Sequence, residues 1–421
     1  MKRQSINPGR VDWSGENPGI YLKHSEADDA YCVLSLFFRV ALSPYGKGHA
    51  AIVLAAPDAD RGWPEETNFI ITDNQRLMRW IVEGWVTHMP TFVGRAGLQH
   101  MSWLNLDSVQ RQPGDLKSDY REILRGSGVT LEMHWADMGE PLPVEVTVEN
   151  SATKAHEMYS VFLEAKSASI TVNGSRLPGR VQSRQFFGRS MSTAFLAFSE
   201  TWVTPPAPAG LDIMPLPEPV TPGVVDWTGE NPGILLKNED GSFAAMALFF
   251  RVAWSPVGQG QVLLLYASPD QAEASAEAPN LILSDNHELA EYLLENFIGR
   301  LAAFRDAPAF SHLTHLVAQS VHTSGDPMSH RYSETVSGEG YSVELVWEEL
   351  EAPRALELTP DQVGSGIHTM YTVLVPAQRA QIIVNGRPLP GKLGTRVQAG
   401  FETTTAFLYF SETWIIPPQN D

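Results

Sequence analysis

The sequence predicts a mainly β protein: two tandem copies of one domain, each a curved antiparallel sheet or closed barrel with about one helix. Two β-sandwiches are the alternative. Three observations carry this reading. The chain repeats itself at long range, its apolar segments are short and β-rich with Gly and Pro between them, and one capped amphipathic segment stands out in each copy.

The repeat is explicit. Val11-Asp12-Trp13 returns as Val225-Asp226-Trp227, and Gly15-Glu16-Asn17-Pro18-Gly19-Ile20 returns as Gly229 to Ile234. Phe37-Phe38-Arg39-Val40 returns as Phe249 to Val252, and Phe198-Ser199-Glu200-Thr201-Trp202 as Phe410 to Trp414. The offset is 214 at the start (225 − 11) and 212 later (249 − 37), so insertions and deletions nearly balance. The expected organisation is a first repeat over 1–206, a Pro-rich linker over 207–222 and a second repeat over 223–421. The prolines between the copies disfavour helix and suit a stiff, extended connector.

Within the first copy, Tyr31–Leu42 and Ala50–Ala56 are β-rich apolar runs. Val129–Met138 alternates, with Leu131, Met133 and Trp135 on one face and Glu132 and His134 on the other. Glu157–Ala165, Ser169–Asn173 and Ser192–Val203 complete the strands. Asn173-Gly174 and its copy Asn385-Gly386 signal tight hairpin turns. Asp73-Asn74 caps a helix running to about Thr87. Its counterpart from Asp285 carries Leu289, Leu293 and Phe297 at helical spacing, with Glu288, Glu291 and Glu295 towards solvent. About ten strands with one helix favour a closed or strongly curved sheet over a sandwich. Trp13 and Trp227 are expected to plug such a barrel.

Composition narrows the function. The chain has 421 residues, 43% hydrophobic and 19% charged, with a net charge of −19, which describes a globular chain. Residues 1–212 hold 20 Lys+Arg against 24 Asp+Glu (−4), so the rest holds 10 against 25 (−15). Neither copy shows a basic stripe, so nucleic acid is not an expected partner, and no apolar run approaches a membrane span. A single cysteine, Cys32, leans towards a reducing compartment and excludes thiolate-only zinc and iron–sulfur sites within one chain. The N-terminus lacks the apolar core of a signal peptide, and a cytoplasmic location is the expectation. Nucleotide-binding glycine loops and the nucleophile elbow are missing, so no cofactor is expected.

The Trp near the start of the first strand region, the single helix beside many antiparallel strands and the tandem organisation together resemble the double lipocalin-like proteins. That superfamily includes carotenoid hydratases and plant-isoflavonoid hydratases. The resemblance is architectural and covers both copies, but no catalytic motif of the family matches residue by residue. The strong likeness of the two copies is a departure, since the halves of those proteins usually diverge. The resemblance implies an apolar pocket for a small molecule and lyase or hydratase chemistry.

The duplication also filters candidate site residues. Two histidine pairs survive in both copies: His100 with His312, and His156 with His368. On a strand, His156, Met158 and Ser160 share a face, as do His368, Met370 and Thr372; such a face lines a pocket or forms a core with one satisfied polar cluster. Glu200 and Glu412 sit in the shared Phe-Ser-Glu-Thr-Trp, where alternation puts the Glu on the face of Phe198 and Trp202. A carboxyl there is either raised in pKa and fit to act as a general acid, or paired with Arg39 or Arg184. His312, His315, His322 and His330 crowd the second copy, but strand spacing puts His312 and His315 on opposite faces, so no metal is assigned. A His–Glu acid/base pair in an apolar pocket, within a barrel or between the domains, suits addition or removal of water, or isomerisation, without a cofactor. The competing expectations are a non-catalytic carrier or sensor of a small apolar molecule, and an assembly protein. A homo-oligomer is compatible with each.

Overall fold

The protein is described from a computed structural model, which covers residues 9–58, 68–112, 118–186, 188–205, 223–271, 275 and 278–418. The expected linker lies outside the described residues. The described residues divide into two compact units, residues 12–205 and 223–418, and the strand Arg10–Glu16 pairs within the sheet of the first. Each unit is a strongly curved, almost wholly antiparallel sheet with one main helix, and the two are built alike.

In the first unit the strand order is Ser102–Asn105, Asn68–Thr72, Gly48–Leu54, Val33–Leu42, Arg10–Glu16, Ala194–Thr204, Glu157–Val172, Val129–Met138, Asp119–Gly126, Ser108–Gln112. The strands at the two ends of this path are neighbours in the chain, with only Leu106 and Asp107 between them. Leu106 N–H donates to Thr72 O and Asp107 N–H to Arg125 O, so the backbone bonds both ends of the path. The second unit repeats this with Ala318 N–H to Ser284 O and Gln319 N–H to Ser337 O. Curvature is tight enough that Ser35 Oγ lies 3.6 Å from Met133 Sδ although three strands lie between theirs.

Two glycines per unit permit this. A Cβ on Gly15 would lie 2.1 Å from Arg39 O, and one on Gly126 2.1 Å from Asn105 O; Gly229 and Gly338 occupy the matching places. The hairpin prediction holds as well: Asn173 and Gly174 both have positive φ, 50° and 79°, and Val172 pairs with Ser175 across the turn. The segments 157–165 and 169–173 form one long strand, Glu157–Val172.

Each sheet buries both faces. The concave face packs Tyr120, Trp135 and Phe198. The other face is covered by the helix Gln75–Gly84, which Asn74 caps by accepting from Leu77 N–H, and which lays Leu77, Met78 and Ile81 against Leu34, Leu36 and Phe38. The second helix, His287–Asn296, is capped in the same way by Asn286. Trp13 and Trp227 do not plug the concave interior. Trp13 lies on the helix-covered face against Phe38 and Trp202, 6.1 and 6.3 Å between ring centres, and Trp227 packs likewise on Phe250 and Trp414. The reason is parity: Trp13 and Phe38 belong to the face that meets the helix.

Candidate functional site

The shared Phe-Ser-Glu-Thr-Trp segment lies in a central strand of each unit, and its alternation is broken. Ser199 adopts φ +49° and Ser411 +48°, and the pairing with the neighbouring strand shifts register between Tyr159 and Val161, and between Tyr371 and Val373. This bulge turns Phe198 onto Tyr120 in the concave core, while Ala197 and Trp202 point to the helix-covered face. Glu200 therefore does not share a face with Phe198, as alternation predicted, but lies beside Trp202 only.

Glu200 and Glu412 are buried, 2% and 0% exposed. Burial pushes the Glu200 carboxyl up to about 8, against the opposing pull of hydrogen bonds from Trp202 and Asn17. Glu412 is raised well above the ordinary range for the same reason, with Trp414 and Asn231 beside it. Trp202 Nε1 donates to Glu200 Oε1 at 2.8 Å. Asn17 Oδ1 and Asn231 Oδ1 have no hydrogen-bond partner among the described residues, and a protonated carboxyl carries an O–H for such an acceptor. The alternative of an ion pair with Arg39 fails, because Arg39 is engaged elsewhere.

Arg184 and Arg396 do lie in this neighbourhood, each supporting a tyrosine. Arg396 Nη2 donates to Tyr409 Oη at 3.2 Å and stacks over Phe407 at 4.3 Å. Arg184 sits 5.1 Å over the Tyr21 ring and hydrogen-bonds its hydroxyl. Both tyrosines are raised in pKa, first by burial and further by the adjacent glutamate, against the lowering by the arginine. Burial lowers the pKa of Arg184.

In the second unit these groups line a cavity of about 330 Å³. Its polar wall includes Glu412, Asn231, Gln362, Arg396, Gln398 and Tyr409, and its apolar wall includes Phe297, Phe304, Met370 and Phe407. The cavity lies on the helix-covered side of the sheet rather than in the concave interior.

His156 and His368 build a separate cluster on the same face. His368 Nε2 is 3.0 Å from Asp226 Oδ2 and its Nδ1 is 3.1 Å from Ser365 Oγ. In the first unit His156 Nε2 is 3.3 Å from Asp12 Oδ2 and Nδ1 is 2.8 Å from Thr153 Oγ1. A second hydroxyl donates to each aspartate, from Thr204 to Asp12 and from Tyr292 to Asp226. Trp414 separates this cluster from Glu412: its ring centre is 5.4 Å from that of His368. His and Glu are thus neighbours through an indole rather than a directly bonded pair. His100 and His312 end two short 3-10 helices and are exposed, apart from both clusters.

A third cluster closes one end of the concave core. Arg39 Nη2 donates to both carboxylate oxygens of Glu122, at 2.9 and 3.0 Å, and its Nη1 donates to Glu16, which Arg111 shares. Burial raises the Glu16 carboxyl, but the Arg111 and Arg39 guanidinium groups outweigh it and hold the group below its ordinary value. Arg251, Glu230 and Glu334 repeat the arrangement, with Thr323 in place of Arg111. Two arginines and two glutamates balance in the first unit, so this cluster reads as a structural ion network.

Sequence reasoning missed Asp12, Asp226, Asn17, Tyr21 and Tyr409. The aspartates and asparagines stood in the repeated Val-Asp-Trp and Gly-Glu-Asn-Pro-Gly motifs, and a buried polar residue inside a repeated motif was the available signal. Among the described residues no helix is long and apolar enough to cross a membrane.

No family model and no curated protein matches the chain. Among solved structures, one titled "Crystal structure of CghA" aligns with 99% of this chain and 90% of its own length at 8% identity and a TM-score of 0.19. The chain bears a weak structural resemblance to that protein, and a TM-score this low carries no argument about what this chain does.

Proposed function

We propose that each unit is a small barrel, closed where its end strands adjoin, and that the protein binds a small, largely apolar molecule carrying a carbonyl or hydroxyl oxygen. On that molecule it acts as a cofactor-independent lyase of the hydratase type, or as an isomerase. The observation that carries this reading is Glu412, a buried carboxyl raised well above its ordinary range by burial, on the wall of a cavity that joins polar groups to aromatic and aliphatic side chains. The cavity volume of about 330 Å³ suits a small ligand, since such sites span about 300–1,000 Å³.

Addition or removal of water, and isomerisation, each need one proton delivered and one withdrawn. A neutral Glu412 delivers the first, and its carboxylate recovers the second. The Tyr409 hydroxyl, oriented by Arg396, hydrogen-bonds the substrate oxygen on which negative charge develops. The apolar wall keeps bulk water from the carboxyl and so keeps its pKa high. Glu200, Tyr21 and Arg184 are assigned the same parts in the first unit. His156 and His368 act as positioning residues behind Trp202 and Trp414, and His100 and His312 take no part in this scheme. The second reading is a non-catalytic carrier, favoured by the apolar side of the wall, with Phe297, Phe304, Met370 and Phe407.

Native mass spectrometry of protein purified from its host is the test. A co-purifying small molecule is expected, and the purified protein should convert it. Glu412→Gln should retain the molecule and slow its conversion by about 100-fold or more. A molecule held unchanged by the unsubstituted protein selects the carrier reading, and an empty protein overturns both.

A further inference from the structure

We propose that the second unit carries a surface site for one divalent transition-metal ion of the zinc class, held by His287, Glu291 and His315. The proposal is independent of the cavity reading. His287 and Glu291 stand four residues apart on the helix His287–Asn296, hence on one face of it. His315 stands on the edge strand Thr314–Val317, opposite Ile282 of the strand that leads into the helix. One donor atom from each of the three lies within 4.8 Å of the other two. Glu291 Oε1 is 3.2 Å from His315 Nδ1 and 3.9 Å from His287 Nε2. A tetrahedral ion with bonds of about 2.0–2.2 Å spaces its ligands by roughly 3.3–3.6 Å, so the donors already stand near coordination distance.

The side chains are 74%, 47% and 31% exposed, which leaves the imidazoles free to rotate onto an ion and a further position open to water. Two neutral imidazoles with one carboxylate are the ligand set of an open zinc site and suit neither calcium nor magnesium. The first unit shows what the place looks like without this role. There Gln75, Arg79 and Trp103 occupy the three positions, and the Arg79 guanidinium stacks 4.3 Å over the Trp103 ring. All three positions of one contact differ together between the units, a fixed cation in the first standing where the second has three groups able to hold one. His322 and His330, also peculiar to the second unit, are not in the cluster.

The site ties the helix to the edge strand. The helix runs directly into Phe297, on the cavity wall, so a bound ion would stiffen that wall. The contact between Glu291 and His315 alone also fits an ordinary ion pair, which would leave His287 without a part; the experiment separates the two. Tag-free full-length protein is titrated with zinc chloride by calorimetry and with cobalt chloride by visible absorption, at about pH 7.5. The expected result is one equivalent bound, with a tetrahedral cobalt spectrum and a raised melting temperature. His287→Ala and His315→Ala should each weaken binding at least roughly tenfold, while His312→Asn and His322→Asn leave it unchanged. The targeted side chains are exposed, so these variants should melt like the unsubstituted protein without metal. Absence of saturable binding overturns the proposal, and so does binding that survives His287→Ala.

Discussion

Replacing Glu200 by Gln should make the protein more stable, and by an amount that grows with pH. The carboxyl is 2% exposed, and its pKa rises from 4.5 to about 8 on folding. A group whose pKa is raised in the folded state binds its proton more tightly there. Its stabilising contribution is complete below the unfolded pKa of 4.5 and is lost as pH rises to the folded value of about 8. Each pH unit in that window costs about 1.4 kcal/mol. The full span therefore amounts to about 5 kcal/mol, with about 3 kcal/mol already lost at neutral pH. Gln keeps an acceptor for Trp202 Nε1 and offers a donor to Asn17 Oδ1, without the titration. Glu16 moves in the opposite direction and loses its contribution only as pH falls below the ordinary carboxylate range, so it stays silent in this window. The assay is urea unfolding followed by tryptophan fluorescence, at intervals between about pH 5 and pH 8. The stability difference between variant and unsubstituted protein should rise across the series at about 1.4 kcal/mol per unit. Parallel curves, or a variant less stable at pH 8 than at pH 5 by the same margin as the unsubstituted protein, would refute a carboxyl held protonated by burial. The result bears on function directly, because a Glu200 that ionises at pH 7 could not serve as the acid proposed above.

Two further outcomes follow from the geometry. Gly15→Ala and Gly229→Ala each drive a methyl to about 2.1 Å from a backbone carbonyl, Arg39 O or Arg251 O. Each should destabilise its own unit by roughly 3 kcal/mol or more, read as a lowered urea midpoint, whereas Gly174→Ala, with open space around its Cβ, should cost only its left-handed φ, about 1 kcal/mol. Tyr409→Ala should loosen ligand retention in the second unit, and adding Leu235→Tyr, which rebuilds the phenol where the first unit holds Tyr21, should restore it. Failure of the double variant to recover retention would argue that the strand of origin matters and not only the hydroxyl.

Much of the fold was legible because its causes are local. Asn74 and Asn286 cap their helices because an asparagine side-chain oxygen is a good acceptor for orphan N–H groups. Asn173-Gly174 turns because both residues tolerate positive φ. Leu131, Met133 and Trp135 alternate into the core because the strand is regular up to Ala136, its left-handed residue Asp137 coming only after them. The same rule failed at Phe198-Ser199-Glu200. A left-handed residue resets the parity of everything after it, and Ser199, unlike a glycine, gives no sign in the sequence that it adopts φ +49°. The face assigned to Glu200 was therefore wrong for one of its two neighbours, and the bulge and the helix put the cavity on the helix-covered side of the sheet. His315 escaped assignment for a related reason. Its partners His287 and Glu291 come from a helix some 25 residues earlier, and no spacing rule along one strand reaches them.

The comparison of the two copies explains why the rest of the site was hidden. Position-by-position matching finds residues that stay the same type, such as Glu200 and Glu412. It does not find a chemical group that stays in place while the residue supplying it changes. The phenol beside the arginine comes from Tyr21 in the first unit, where the second has Leu235, and from Tyr409 in the second, where the first has Ala197. The hydroxyl on the buried aspartate comes from Thr204 in one and from Tyr292 in the other, where the first unit has Trp80. Each exchange crosses from one element to another, and each ends with an O–H at the same carboxylate or guanidinium. A merely structural core has a cheaper route, since an isolated buried polar group is readily replaced together with its partner by apolar side chains of similar volume. Keeping a glutamate, an arginine and a phenol together by changing which strand provides the phenol is what constraint on the assembled group, rather than on any one residue, produces. That points to the Glu–Arg–Tyr cluster, ahead of the histidines, as the group to which substitutions should be aimed first.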